Sequence, residues 1–168
     1  MKHDTIEIGR IVNAHGIKGE VRVQPRDGDP AFLTRFSTFL LDGRAVTPTA
    51  NHVHKNFTLM KFPGVDDMDA ALSLKGKILY LRREDAKLEE GEFFDEELLG
   101  MEVLDEASGE VLGELVAVEQ YPAHPVYTVR GRQEYLIPAV PEVFIRSVDL
   151  DANRMVVHTL EGMGRDAD

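Results

Sequence analysis

The residues best suited to chemistry lie near the start of the chain, where four cations and one histidine surround a single turn. These residues are Arg10, His15, Lys18, Arg22 and Arg26. Such a cluster suits contacts to phosphate, where charge and reach matter more than a fixed geometry. Four cations in a short segment are also common on an ordinary solvated face, so the cluster alone leaves both interpretations open.

The turn itself fits a GxxG pattern from Gly16 to Gly19. In the KH module, a loop of this pattern clamps the backbone of a nucleic acid. That loop has helices on both sides, whereas strands are predicted on both sides here. The pattern therefore favours a tight hairpin whose glycines adopt positive φ.

Phe93 and Phe94 form a second candidate site. Neighbouring residues of a strand point to opposite sides, so both rings do not easily enter one core. Burying a phenylalanine contributes about 1.5–3 kcal/mol, which makes the second ring a candidate anchor for a partner. The alternative, in which both rings pack at a junction between domains, stays open.

Other catalytic or metal-binding patterns are weak. His52 and His54 would share one face of a strand and could ligate a metal, but no third histidine or cysteine lies near them in sequence. The alternative for this pair is an exposed, polar strand edge. The acidic run 95–97 is expected to be a solvated turn or a helix start. We therefore expect no catalytic residue, no metal and no cofactor.

Length and composition are typical of a small globular protein. The 168 residues suffice for one ordinary domain or two small ones, and 43% are hydrophobic and 29% charged. Cysteine is absent, which excludes disulfides and thiolate metal sites and suits a reducing compartment. No apolar run approaches the roughly 20 residues of a membrane helix, and residues 1–9 lack an apolar signal core. We expect a cytoplasmic protein.

The net charge of −11 is unevenly distributed. Residues 1–84 hold 13 Lys and Arg against 10 Asp and Glu, a formal +3, and residues 85–168 hold 6 against 20, a formal −14. This asymmetry suggests two halves with different partners, although acidic surfaces are also simply soluble.

Short alternating segments indicate a strand-rich chain. Strands are predicted at 5–12, 20–24, 38–41, 57–62, 77–81, 102–105, 110–120, 126–129, 134–137 and 155–158. One helix is predicted with Asp66 or Asp67 as its cap and with Met68, Ala71 and Leu72 as its apolar stripe. A single helical turn could form at 31–36. We expect an N-terminal domain over 1–84, a charged linker over 85–92 and a C-terminal domain over 93–168.

Several short motifs occur in a fixed order over nearly the whole chain. They are GRIV at 9–12, AHGIKGEV at 14–21, GEFF at 91–94, LLGMEV at 98–103, EYLIPAV at 134–140, VDL at 148–150 and LEGM at 160–163. Together they resemble the RimM family of bacterial ribosome maturation factors. The resemblance implies an all-β fold of two small β-barrels in tandem, a translation-factor-like barrel followed by a PRC-type barrel, with a few short helices.

The resemblance also implies a function without catalysis. It implies a monomeric assembly chaperone that binds the immature small ribosomal subunit, contacts small-subunit ribosomal protein nineteen and acts in maturation of 16S rRNA. The basic cluster then supplies candidates for ribosome or RNA binding, and Phe93 and Phe94 supply candidates for binding the ribosomal protein. The family often has paired tyrosines at these two positions, so their role here would depend on packing without the hydroxyl hydrogen bonds.

Two alternatives come from other functional classes. The first is a small flavin- or metal-binding enzyme, because the N-terminal barrel also resembles those of flavin reductases and His15, His52 and His54 could serve a cofactor. The second is a plain adaptor that joins two proteins through the PRC-like barrel.

Overall fold

The computed structural model describes residues 2–26, 28–89 and 91–166. These residues form two compact units. The first unit is Asp4–Lys87, and the second contains the described residues from Leu88 onward together with Lys2 and His3. The division falls between Lys87 and Leu88, within the segment 85–92 that the sequence predicts as a linker.

The first unit contains one seven-stranded antiparallel sheet within the described residues. Its strands are β1 (Thr5–His15), β2 (Glu20–Pro25), β3 (Phe39–Leu41), β4 (Arg44–Val46), β5 (Ala50–His54), β6 (Phe57–Lys61) and β7 (Ile78–Arg82). Their order across the sheet is β4-β3-β7-β1-β2-β6-β5. The long strand β1 therefore lies at the centre, paired with β7 on one side and β2 on the other.

The alternation of β1 and β2 decides which side chains enter the core. Val21 and Val23 of β2 and Ile11 of β1 are fully buried, and the residues between them face outward. The register of β1 shifts between Glu7 and Gly9, and a Cβ on Gly9 would lie 3.0 Å from both the Gln24 carbonyl oxygen and a Val23 methyl. The bulge and close approach that a glycine predicts within a strand are thus both present.

Two short helices cover the first sheet. In α1 (Pro30–Leu33), the Asp29 carboxylate accepts a hydrogen bond from Ala31 N at 3.0 Å. In α2 (Met68–Leu72), Asp67 is the N-cap and accepts one from Ala70 N at 2.8 Å. A 3₁₀ turn follows β7 at Arg83–Asp85.

The apolar stripe predicted for α2 is wrong for two of its three residues. Ala71 is fully buried, but Met68 and Leu72 are 41% and 40% exposed. The helix has only five residues, too few to turn a wide face toward the core, so one small side chain makes the contact.

The second unit contains another seven-stranded sheet and one helix, α3 (Asp95–Leu98). Its strands are β8 (Glu102–Asp105), β9 (Val111–Glu119), β10 (Val126–Arg130), β11 (Gln133–Pro138), β12 (Ile145–Asp149), β13 (Arg154–Val157) and β14 (Gly164–Asp166). The order is β12-β13-β8-β9-β10-β11-β14, and among the pairs of described strands β13–β8 is parallel and the others are antiparallel. Its core includes Leu98, Met101, Leu115, Ile137 and Met155.

The acidic run 95–97 begins a helix, as expected, but it is not solvated throughout. Glu97 is fully buried, and its Oε2 accepts a hydrogen bond from the His3 backbone N at 3.0 Å. The helix turns this carboxylate inward beside Leu98, which belongs to the core. The run of acidic residues in the sequence does not indicate which of the three side chains the helix directs inward.

The all-β fold of two small barrels with short helices is confirmed. Three strands were not predicted, and all three are edge strands: β4 in the first sheet and β12 and β14 in the second. The other edge of the first sheet, β5, lies where the sequence allows an exposed, polar strand edge at His52 and His54. None of these four edge strands contains a fully buried residue. No helix in residues 2–26, 28–89 and 91–166 is long and apolar enough to cross a membrane.

Candidate functional site

The hairpin of β1 and β2 carries the basic cluster on its outward side. The register pairs Arg10 with Gln24, Asn13 with Arg22, and His15 with Glu20. Paired residues of neighbouring strands project to the same side of a sheet. We call this outward surface the hairpin face, formed by Arg10, Asn13, His15, Glu20, Arg22 and Gln24.

The turn at 16–19 closes the hairpin and depends on its two glycines. Gly16 has a φ of +72° and Gly19 one of +95°, conformations that side chains disfavour. A Cβ on Gly19 would overlap the Val65 carbonyl oxygen and would lie 2.9 Å from Asp66 N. The tight hairpin predicted for the GxxG segment is confirmed, since strands flank it on both sides.

Arg22 is the cation of the hairpin face with an aromatic and an imidazole contact. Its guanidinium lies 5.5 Å above the centre of the Phe57 ring, and its Nη2 lies 3.4 Å from His15 Nδ1. Its Nε is buried and has no hydrogen-bond partner among the described residues. The charge is thus held by an aromatic face and an imidazole, without a carboxylate to neutralise it.

His15 links this group to the edge of the sheet. Its ring centre lies 5.0 Å from that of His54, with 58° between the planes. His54 also pairs with Phe57 across β5 and β6. The rings of His15 and Phe57 therefore contact Arg22, and the ring of His54 lies next to that of His15. Phe57 could not be joined to the basic cluster from local patterns, because only the strand order β2-β6-β5 brings it beside Arg22.

The remaining cations of the cluster behave differently from one another. Lys18 and Arg10 are exposed and have no ion-pair partner in the described part of the chain. Arg10 borders a shallow depression that Gly9, Gln24 and Pro25 also line. Arg26 instead forms an ion pair with Glu7, which offsets its charge. The structure therefore divides the predicted cluster into three uncompensated cations and one compensated cation.

His52 and His54 occupy the edge strand β5, and both are exposed. The interpretation as an exposed, polar strand edge is thus confirmed. No group of three His, Cys, Asp or Glu that could hold a metal occurs among residues 2–26, 28–89 and 91–166. His15 and His54 approach each other, but two imidazoles without a third ligand do not form a zinc site of the usual kind.

Neither phenylalanine of the predicted anchor is exposed. Phe93 is half-buried and packs against the core of the second unit. Phe94 is only 2% exposed and precedes α3, where its carbonyl oxygen accepts a hydrogen bond from Glu97 N at 3.0 Å. Their role toward a partner stays a prediction, and the geometry allows Phe93 more contact with a partner than Phe94.

Among the described residues, several titratable groups of the second unit have shifted pKa values. Burial raises the pKa of Tyr127 to about 12, and the charge of Asp95 adds to this effect. Hydrogen bonds from Arg165 and Arg130 lower the pKa of Glu134. For Asp105, burial acts to raise the pKa, but hydrogen bonds from Ser108 and Thr159 outweigh it, so the net shift is downward. The hydrogen bonds of Glu134 and Asp105 connect strands and turns within the second unit.

Comparison with known proteins places the chain among named relatives. The family model of the RimM N-terminal domain matches residues 6–86, and that of the RimM PRC barrel domain matches residues 95–163. The ribosome maturation factor RimM of Clostridioides difficile is 37% identical over 163 residues, covering 94% of each chain. That of Symbiobacterium thermophilum is 34% identical over 169 residues, covering 97% of this chain and 96% of its own.

A solved structure is also similar. The crystal structure of a RimM protein of Pseudomonas aeruginosa is 26% identical and covers 93% of this chain and 98% of that chain, with a TM-score of 0.46. At this TM-score the likeness adds no support of its own. The two domain matches and the full-length identities are sufficient by themselves: the chain belongs to the RimM family.

Proposed function

We propose that this protein is a non-catalytic assembly factor of the small ribosomal subunit that acts in the cytoplasm. In this proposal the N-terminal domain contacts 16S rRNA through the hairpin face, and the C-terminal domain binds small-subunit ribosomal protein nineteen. The relatives named ribosome maturation factors support the process. The observation that carries the RNA contact is the set of uncompensated cations on one hairpin.

The hairpin face and the turn that closes it have the chemistry of a phosphate-binding surface. Arg10, Lys18 and Arg22 lack carboxylate partners in the described residues, so their charge is available to an anion. Arg22 is also pre-oriented by Phe57 and His15, which lowers the entropy cost of fixing it on RNA. Most contacts between proteins and nucleic acids go to phosphate and sugar, and these contacts need no base sequence.

Co-sedimentation with immature small subunits tests this surface. We expect the triple variant Arg10→Ala, Lys18→Ala, Arg22→Ala to bind more weakly, with a salt dependence whose log–log slope is smaller by about 2–3, because each phosphate contact contributes roughly 0.7–0.9. The matched control removes three other exposed cations, Arg44, Lys75 and Arg82. An unchanged slope in the first variant, or an equal change in the control, would return the cluster to a solvated face.

The contact with the ribosomal protein is supported by charge. Residues 85–168 carry a formal −14, and ribosomal proteins are generally basic, so the acidic domain can attract one and shield it from wrong RNA contacts. Attraction of this kind weakens as salt rises. Phe93, half-buried at the surface of the second core, is a candidate for apolar contact beside that charge.

Capture of purified ribosomal protein nineteen by the full chain tests this part. We expect Phe93→Ala to weaken capture and Phe93→Tyr to retain it, because tyrosine preserves the ring. Both variants should bind immature subunit RNA as the wild type does. Wild-type capture by Phe93→Ala would remove this residue from the interface, and capture that ignores salt would contradict the electrostatic argument.

The enzyme alternative makes a different prediction for the same preparation. A flavin- or metal-binding barrel would purify with flavin absorbance or with bound metal. Phosphate contact by the hairpin face requires neither, and a colourless, metal-free protein that sediments with immature small subunits would support the assembly factor.

A further inference from the structure

The tip of the β1–β2 hairpin presents one apolar side chain that the phosphate-binding argument does not use. Ile17 is 72% exposed, the largest exposure of any large hydrophobic side chain among the described residues. It lies between Gly16 and Lys18, at the end of the hairpin face. A single exposed isoleucine is unremarkable on a flexible loop, so its meaning depends on how firmly the turn is held.

The turn at 16–19 packs closely against the backbone of residues 65–66. Gly19 lies so close to the backbone of Val65 and Asp66 that no Cβ would fit there. The segment that contains these two residues is held in turn by Lys61, whose Nζ donates to the Val65 carbonyl oxygen, to the Phe62 carbonyl oxygen at 3.3 Å and to Asp66 Oδ1 at 2.9 Å. The tip is therefore fixed before any partner arrives, and binding would cost little ordering entropy.

The surroundings of Ile17 favour a nucleic acid over a protein. Lys18 is its direct neighbour and has no ion-pair partner in the described part of the chain. His15 and Arg22 follow on the hairpin face, where Arg22 Nη2 lies 3.4 Å from His15 Nδ1. Lysine is depleted at the centres of protein–protein interfaces, whereas an apolar side chain next to a cation suits a base beside its phosphate.

We propose that Ile17 packs on the face of an unstacked base of the small-subunit RNA while Lys18 contacts an adjacent phosphate. This inference rests on the proposed function, because it needs the hairpin face to meet RNA. It adds an apolar contact to the phosphate contacts and directs the hairpin toward a loop, a bulge or the end of a helix, where bases are accessible.

Two substitutions separate the apolar contact from the charge contact in co-sedimentation with immature small subunits. Ile17→Ala should weaken binding about tenfold and leave the salt slope unchanged, because it removes buried apolar area and no phosphate contact. Lys18→Ala should reduce the slope by about 0.7–0.9. Ile17→Phe should retain binding, since an aromatic ring also stacks on a base. Val53→Ala, at a 45% exposed residue of β5, is the matched control and should bind as the wild type does.

Crosslinking identifies the occupant directly. The photoreactive substitution Ile17→p-benzoylphenylalanine in the full chain, irradiated with immature small subunits, should label 16S rRNA. A crosslink to a ribosomal protein, or no crosslink from a variant that binds, would overturn the inference. So would wild-type binding by Ile17→Ala. If one of these results is found while the triple cation variant still binds more weakly, only the inference about Ile17 is wrong. If the wild-type protein does not bind immature small subunits, both the inference and the proposed function are wrong.

Discussion

Gly19→Ala tests whether the hairpin tip is held as the structure describes. Gly19 has a φ of +95°, and a Cβ there would lie 2.6 Å from the Val65 carbonyl carbon and 2.9 Å from Asp66 N. A left-handed backbone costs a residue with a side chain about 1–2 kcal/mol, and forcing packed atoms apart costs a further 1–3 kcal/mol or so. We expect the substitution to destabilise the hairpin by about 2–5 kcal/mol in total.

Gly16→Ala is the matched control, because it changes the same turn without a clash. Gly16 has a φ of +72°, and a Cβ there would have no heavy atom of a non-neighbouring residue within 4 Å, so only the backbone cost of about 1–2 kcal/mol applies. The difference between the two variants isolates the contact between the turn and Val65.

Amide hydrogen exchange, followed by mass spectrometry on peptides from β1, β2 and residues 63–66, measures the local free energy of opening. A loss of 2–5 kcal/mol corresponds to exchange that is faster by a factor of about 30 to more than 1,000. Equal acceleration in both variants would refute the reasoning, because it would show that the close approach to Val65 contributes nothing. Peptides from the second unit serve as an internal reference.

Three further predictions concern the second unit. Phe94→Ala should lower the free energy of unfolding, measured by urea denaturation, by about 3–5 kcal/mol, because Phe94 is only 2% exposed. Phe93→Ala should lower it less, because Phe93 is half-buried. An equal loss in both variants would contradict the difference in burial between the two rings. Asp105→Asn should destabilise the protein at neutral pH, because the folded state lowers the pKa of Asp105 and so favours its ionised form. The difference from wild type should begin to shrink near the ordinary pKa of 3.8 and vanish once the pH falls below the lowered pKa; a difference that persists in acid would count against this account. An ultraviolet titration should find one tyrosine that ionises near pH 12. The free energy of unfolding should decline from pH 10 upward, and it should decline less in Tyr127→Phe, because the buried phenol favours the folded state only while it is protonated. If all four tyrosines titrated near pH 10, the phenol of Tyr127 would not be buried.

Interior strands could be predicted from the sequence because they bury one face. In β2, Val21 and Val23 alternate with polar residues, and the predicted segment 20–24 differs from the strand by one residue. The hairpin turn was predictable for a related reason, since Gly16 and Gly19 permit backbone conformations that few residues adopt. The β-rich class therefore follows from local patterns along the chain, and the basic cluster follows from the composition of one short segment.

Three edge strands, β4, β12 and β14, could not be predicted, because none of their residues is fully buried. They obtain their strand conformation from hydrogen bonds to a neighbouring strand, and a short segment without a fully buried face gives little apolar alternation to detect. The same limit applies to Glu97, whose burial depends on the rotation of α3 against the second core. The local sequence indicates the secondary structure that a residue prefers, and it does not indicate which part of the protein that residue packs against.

The sequence by itself determined the all-β class, the cations near one turn and the contrast in charge between the two halves of the chain. Only the tertiary structure decided which cations are available, since pairing with Glu7 compensates Arg26 while Arg22 lies over Phe57. It also brought His54 to His15 and fixed Ile17 at a firm tip. The physical reason is that strand order joins residues distant in sequence, and the hydrogen bonds and packing that fix this order act between segments.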